Sequence, residues 1–190
     1  FKQTARSVDL HPDFWSWSIP ERRAWFNKEV MVNYLPQEIL PGDLIAGGRF
    51  NIMTSSCLTE KETKERDSLI YGKDGIRKAI LWFHDHGYGN VGATSGHLVP
   101  DYATPLQIGW KGIYAKLQAV FDAWSPTDQV GSKGAQLTAM MTAAEMPREL
   151  AAKYRQLCLE LAEDEADLTR KIELENMADI LSRVPREPAR

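Results

Sequence analysis

The stretch PLQIGWKGIYAKLQAVFDAW, residues 105–124, decides the fold class of this chain. It opens on a proline, which favours the first turn of a helix, and large apolar residues then recur at helical spacing. These residues are Leu106, Trp110, Ile113, Leu117 and Phe121. The stretch therefore predicts one amphipathic helix with a continuous apolar stripe, running from Pro105 to about Trp124.

Helical patterns also dominate the remainder of the second half of the chain. After a polar stretch over residues 125–134, three more helical segments are predicted over residues 135–144, 147–163 and 167–181. The last two are rich in alanine, leucine and glutamate, which are strong helix formers. The second half is therefore expected to be almost entirely helical.

The first half alternates helices with turns. Ser18 with Glu21 and Thr59 with Glu62 each form the serine or threonine to glutamate pattern of a capping box. They predict helices to about residue 34, where Leu35-Pro36 follows, and to about residue 71. A third helix is expected over residues 74–83, and the glycine-punctuated stretch 39–58 predicts turns and short strands.

Composition limits the possible functions. With 190 residues, 43% of them hydrophobic, the chain can bury one core. The 23 basic and 26 acidic residues give a net charge of −3 without a basic cluster, which argues against nucleic acid as a partner. No apolar run approaches the roughly 18 residues of a membrane span. Cys57 and Cys158 form neither a metal motif nor a disulfide framework, so a reducing cytoplasmic location is expected.

The two ends favour an incomplete chain. The sequence opens on Phe1 without a methionine, and it stops on a run rich in proline and arginine just after a helical pattern ends. We therefore expect polypeptide to be missing on both sides.

His84-Asp85-His86 is the clearest cluster of candidate functional groups. Imidazole is a common metal ligand, but residues i and i+2 of a helix point about 200° apart, so the spacing argues against a metal site. A structural hydrogen-bonding role and a place in a substrate pocket both remain open.

The glycine-rich stretch 87–102 is expected to be an irregular loop between two helices. Its segment from Gly89 to His97 lacks the Gly-Lys-Ser/Thr ending of a phosphate loop and the glycine spacing of a dinucleotide fold. Close approach of its backbone to another segment and lining of a pocket are the two open interpretations.

Cys57 is a possible nucleophile only if a histidine meets it in space, because nothing beside it in the sequence activates a thiol. A buried, inert thiol is the alternative. Rapid alkylation of Cys57 in the folded protein is the property that separates the two.

Three segments together resemble the large subunits of glycyl radical enzymes, the pyruvate formate-lyase-like family. The first is Gly96-His97 with Asp101-Tyr102, followed by Leu106, Gly109 and Gly112-Ile113. The second runs from Arg170-Lys171 through Met177-Ala178 to Val184-Pro185 and ends on Pro188-Ala189-Arg190. The third, which is a weaker match, spans residues 38–47.

The resemblance implies that residues 1–190 are the N-terminal portion of a pyruvate formate-lyase-like domain, mainly α in this segment and forming the front part of a ten-stranded α/β barrel. The glycyl radical and the thiyl cysteine would then lie on residues outside this chain, with no catalytic residue, metal or cofactor held here. Asn51, His84, His86 and His97 are the residues that we expect to line the substrate pocket.

The same resemblance implies the partners. They are the remainder of the polypeptide, a radical S-adenosylmethionine activating enzyme, a second copy in a homodimer and small accessory subunits. The aromatic segments Phe50-Asn51 and 82–88 are similar to the hydrocarbon-processing branch, which favours addition of a hydrocarbon such as toluene to fumarate. An arylacetate decarboxylase and a diol or choline-type lyase are the alternatives within the family, and a free-standing helical interaction domain is the alternative outside it.

Overall fold

The computed structural model describes residues 2–3, 8–47, 50–51, 55–72, 75–88 and 100–189. Helices dominate these residues, as the sequence predicts. In chain order the elements are β1 (Lys2–Gln3), a 3-10 turn (Phe14–Ser16), α1 (Ile19–Glu29), a π-helical turn (Val30–Tyr34), β2 (Phe50–Asn51), α2 (Glu60–Tyr71), α3 (Ile76–Asp85), α4 (Ala103–Asp122), α5 (Pro126–Val130), α6 (Ser132–Asp164) and α7 (Leu168–Arg183). The chain divides into two compact units, residues 1–56 with 101–190, and residues 57–100.

Helix α6 is the centre of the first unit, and α1, α4, α5 and α7 all pack against it. Most of its buried positions hold small side chains, which let neighbouring helices approach closely. They are Gly134, Leu137, Ala139, Ala144, Ala151, Tyr154, Cys158 and Ala162. Its contact with the α1 region is reinforced at the rim, where Lys28 pairs with Glu149 at 2.7 Å and Lys153 donates to the Asn33 side chain at 2.7 Å.

The predicted division of this region at Pro147 is wrong, because α6 continues through that proline. A proline inside a helix removes one hydrogen bond and costs about 3 kcal/mol. Ala144 before it and Ala151 after it are both buried, so burial on both sides of the proline offsets the cost. Packing thus overrides the local signal.

The polar stretch after α4, residues 125–134, contains the short helix α5, which the sequence pattern does not predict. The Ser125 hydroxyl accepts a hydrogen bond from the Asp128 amide at 3.2 Å, and Pro126 occupies the first turn. These are ordinary helix-start signals, and they fall in a segment without an apolar stripe.

The long helix α4 is broken at Gly109, where the backbone adopts φ 64° and ψ 173°. The predicted continuous stripe is therefore wrong at its first member. Leu106, before the break, is 64% exposed, whereas Trp110 and Ile113 after it are half-buried. The break changes the direction of the apolar face between Leu106 and Trp110.

The start of the chain follows the sequence prediction closely. Ser18 and Glu21 form both bonds of the capping box at the start of α1, and Leu35 closes the π-helical turn by donating to the Val30 carbonyl at 2.9 Å. Strands β1 and β2, each two residues long, pair in parallel, with Lys2 opposite Phe50. Short strands in the 39–58 region were expected.

The second unit contains α2 and α3, which contact each other. Thr59 and Glu62 form the predicted capping box at the start of α2. None of the described side chains of α2 and α3 is buried, and the large apolar residues of α3 are exposed. These are Ile76, Ile80, Leu81, Trp82 and Phe83.

Candidate functional site

The four predicted pocket residues are only partly within the described part of the structure, which does not test whether they lie together. His84 and His86 lie near the end of α3, and both are exposed. Asn51 is in β2, but its side chain lies outside the described residues, as does the whole of His97. The grouping of these four residues in one pocket therefore stays a prediction.

His86 holds the C-terminal end of α3. Its Nδ1 lies 2.7 Å from the Trp82 carbonyl oxygen, and because a carbonyl only accepts, Nδ1 is the donor in this hydrogen bond. The ring also stacks on the Trp82 indole, with 4.1 Å between ring centroids. These contacts give His86 a structural role at a helix end.

Gly87 turns the chain back so that Tyr88 joins this histidine in an aromatic cluster. The glycine has φ 74°, a conformation that other residues rarely adopt, and the Tyr88 amide donates to the Phe83 carbonyl at 2.9 Å. The Tyr88 ring then lies 6.1 Å from Trp82 and 6.2 Å from Phe83. The cluster presents flat apolar rings to solvent, a surface suited to van der Waals and π contacts rather than to proton transfer.

Within the part of the chain that the structure describes, no three His, Cys, Asp or Glu side chains converge as metal ligands would. Over the same residues, no helix combines the length and the apolar character needed to cross a membrane.

A cavity lies in the first unit, at residues that the sequence pattern does not mark as functional. It measures about 460 Å³ and lies between the Pro41-Gly42 turn and the start of α7. Arg170 lines it, with a side chain that is only 13% exposed. The sequence predicts only the turn at Pro41-Gly42. It does not predict the contact between this turn and Arg170, because Asp43 and Arg170 are 127 positions apart.

Arg170 joins the turn to α7 through its guanidinium. Nη1 donates to the Asp43 carbonyl and to the Glu173 carboxylate, both at 2.8 Å, and Nη2 donates to the Leu40 carbonyl at 3.3 Å. The turn is also closed internally, since the Asp43 carboxylate accepts from the Leu40 amide at 2.8 Å. A guanidinium with these partners fixes the backbone of the turn against α7.

Both thiols are enclosed. Cys158 is fully buried in a cluster with Met177 and Ala178, and burial raises the pKa of its thiol, opposed in part by the nearby Arg170 charge. Cys57 is 2% exposed and has φ 53°. Because a nucleophilic thiol needs access and a lowered pKa, the geometry of Cys158 is that of an inert core residue.

Known proteins resemble this chain over part of their length. The pyruvate formate lyase-like family matches residues 87–190, more than half of the chain. A (2S)-3-sulfopropanediol dehydratase of Klebsiella oxytoca is 38% identical over 87 residues, which are 45% of this chain and 10% of the relative. An isethionate sulfite-lyase of Nitratidesulfovibrio vulgaris is 38% identical over 125 residues, 64% of this chain and 13% of the relative.

The fold has a counterpart among solved structures. A glycyl radical enzyme from Archaeoglobus fulgidus superposes with a TM-score of 0.63 at 19% identity, covering 90% of this chain and 27% of the other. The chain thus spans about a quarter of that structure and a smaller share of the two curated relatives. The described helices match a portion of a glycyl radical enzyme, which confirms the predicted fold class. By its family match and its fold, the chain belongs to the pyruvate formate lyase-like family of glycyl radical enzymes.

Proposed function

We propose that residues 1–190 are the N-terminal portion of a longer glycyl radical enzyme that eliminates a leaving group from a small hydroxylated or sulfonated substrate. The observation that carries this proposal is the 38% identity to two proteins whose names denote eliminations, a dehydratase and a sulfite-lyase. A diol-type lyase was the second alternative within the family, and it now takes precedence over hydrocarbon addition.

Addition of toluene or a similar hydrocarbon to fumarate is the second candidate. It is favoured by the aromatic cluster of Trp82, Phe83, His86 and Tyr88, which offers apolar rings to a hydrocarbon. The two curated relatives do not support this branch, because neither name refers to fumarate addition. The cluster alone is therefore the weaker argument.

The radical chemistry is assigned to residues beyond this chain. A glycyl radical supplies hydrogen-atom abstraction through a cysteine, and that cysteine must meet the substrate. Cys158 is enclosed among core side chains and Cys57 is 2% exposed, so we propose that neither of them meets the substrate. The helices around α6 would instead help to close the reaction from water.

The proposed partners are the rest of the polypeptide, a radical S-adenosylmethionine activating enzyme, a second copy and small accessory subunits. A cytoplasmic location is also proposed, in keeping with two cysteines, Cys57 and Cys158, that are not joined by a disulfide. These proposals derive from the family rather than from a surface of the described residues.

The test is anaerobic activation of the longer protein with an activating enzyme, followed by electron paramagnetic resonance and product analysis. We expect a glycyl radical signal and release of sulfite or an aldehyde from isethionate, 3-sulfopropanediol or 1,2-propanediol. Benzylsuccinate formed from toluene and fumarate would instead establish the second candidate. Absence of any glycyl radical would refute both.

Asn51, His84, His86 and His97 remain the proposed pocket-lining residues. For His97→Ala in the longer enzyme, we expect turnover to fall more than stability. His86→Ala is the matched comparison, because His86 already has structural contacts with Trp82 and should lose stability too. Equal losses of turnover and stability for His97→Ala would count against its place in the pocket.

A further inference from the structure

The break in α4 is occupied by the main chain that follows α7. Beyond Gly109, the Trp110 amide donates to the Pro185 carbonyl at 3.1 Å and the Lys111 amide donates to the Arg186 carbonyl at 2.8 Å. The first amides of a helix have no partner within it, so these two carbonyls cap the second part of α4. Residues 185–188, which follow α7, are called the exit segment below.

Gly109 is the residue that permits this approach. A Cβ at position 109 would lie 2.5 Å from the Arg186 carbonyl oxygen, and 2.8 and 2.9 Å from the Glu187 main-chain carbon and Cα. These are backbone atoms, which cannot move aside as a flexible side chain can. Any other amino acid at this position must displace the exit segment or the helix.

The exit segment is also held from its own side. The Glu187 amide donates to the Arg183 carbonyl at 2.8 Å, which ties the segment to the last turn of α7. Lys111 Nζ lies 3.5 Å from the Glu187 carboxylate, but both side chains are about half exposed, so this ion pair adds little. The main-chain bonds at the break are the principal attachment to α4.

We propose that Gly109 is a positioning residue. It holds the exit segment against the break in α4 and so fixes the direction in which the polypeptide continues after α7. This inference rests on the proposed function, in which the continuing polypeptide carries the reactive residues. Gly109 then acts on the reaction from a distance, through the path of the chain.

The test compares Gly109→Ala with Gly42→Ala. Both glycines have positive φ, 64° and 84°, so alanine meets a backbone penalty at either position. Nothing lies within 4 Å of a Cβ at position 42, whereas position 109 faces the exit segment. Gly42→Ala therefore shows the effect of a strained alanine where no exit segment is displaced.

The first readout is hydrogen exchange with limited trypsin digestion, which needs no activity. For Gly109→Ala, we expect the Trp110 and Lys111 amides to exchange on the order of tenfold faster, and cleavage after Arg186 to accelerate by a similar factor. Gly42→Ala should leave both rates unchanged. Wild-type rates in Gly109→Ala, or equal acceleration in both variants, would overturn the proposal.

A second pair of variants serves if Gly109→Ala does not fold. Trp110→Pro removes the amide that donates to Pro185, at a first-turn position that proline tolerates, and Trp110→Ala removes the same indole but keeps the amide. We expect faster cleavage after Arg186 in Trp110→Pro than in Trp110→Ala. Equal cleavage rates would overturn the role of these bonds.

The second readout is turnover per glycyl radical in the longer enzyme, at a temperature where every variant is folded. Gly109→Ala should lower it on the order of tenfold, and Gly42→Ala should not. If the Trp110 and Lys111 amides exchange faster in Gly109→Ala but turnover is unchanged, the positioning role would be overturned. If the longer protein forms no radical, the proposed function fails, while the exchange and digestion rates still decide whether Gly109 holds the exit segment.

Discussion

Replacement of Arg170 by methionine should destabilise the first unit through the turn at residues 40–43. The change keeps most of the aliphatic stem and removes the guanidinium, whose partners are the Asp43 and Leu40 carbonyls and the Glu173 carboxylate. Because the Arg170 side chain is only 13% exposed, water cannot fully replace the lost donors. We therefore expect a measurable fall in the free energy of unfolding.

The magnitude follows from the three contacts. A hydrogen bond from a charged donor is worth about 1.5–3 kcal/mol, and the 2.8 Å bond to Asp43 is of this kind. The pair with Glu173 counts for about 0.5 kcal/mol, because that carboxylate is 36% exposed. The bond to Leu40 is 3.3 Å long, and its acceptor already receives the Asp43 amide, so it adds little. The total is about 2–3.5 kcal/mol.

The assay is urea unfolding of the chain followed by circular dichroism, together with thermal melting. For Arg170→Met we expect a drop of about 4–14 °C in Tm. Arg183→Met is the matched control, since Arg183 lies on the same helix but forms an exposed pair with Asp179 at 3.6 Å. It should change stability by less than about 0.5 kcal/mol. Equal losses in the two variants would refute the structural role assigned to Arg170.

Three further predictions concern other parts of the described structure. Burial raises the pKa of the Cys158 thiol, so the unfolded state loses this proton first. The stability that this thiol contributes should therefore be constant below about pH 9 and fall as the pH rises above it. Urea midpoints measured against pH should therefore fall less steeply above pH 9 in Cys158→Ala. Thr59→Ala should cost α2 about 1 kcal/mol and Thr59→Ser much less, as measured by amide exchange in that helix. Leu174→Ala, at a 2% exposed core position, should cost about 2–4 kcal/mol in urea unfolding, whereas Leu168→Ala, at a 71% exposed position of the same helix, should cost less than about 0.5 kcal/mol.

Helix starts could be read from the sequence because their determinants are local. At Ser18 and Thr59, the capping side chain and the glutamate that completes the box are three residues apart, and both boxes form as predicted. Ser125 is also a capping residue at a helix start, but the five-residue helix that follows has no apolar stripe that would predict it. At Pro147 the local pattern predicts a helix boundary, but α6 continues through this residue. The free-energy cost of a proline inside a helix is offset there by packing.

The candidate site was less predictable than the fold. The adjacency of His84 and His86 is a property of the sequence, but the contact of His86 with Trp82 depends on how α3 ends. The Arg170 contacts join residues 127 and 130 positions apart, a distance over which no periodic pattern carries information. Such contacts become visible only when the helices are in place.

The break in α4 combines both kinds of determinant. A glycine inside a helical pattern is a weak local signal, because glycine is tolerated within helices at a cost of about 1 kcal/mol. What makes the break stable at Gly109 is a segment 76 positions later, whose carbonyls satisfy the two amides that the break releases. Without that segment, those amides would have to find water or restore the continuous helix that the sequence predicts. The geometry of α4 and the path of the chain after α7 therefore depend on each other. A substitution at Gly109 should alter both the break in α4 and the position of the exit segment.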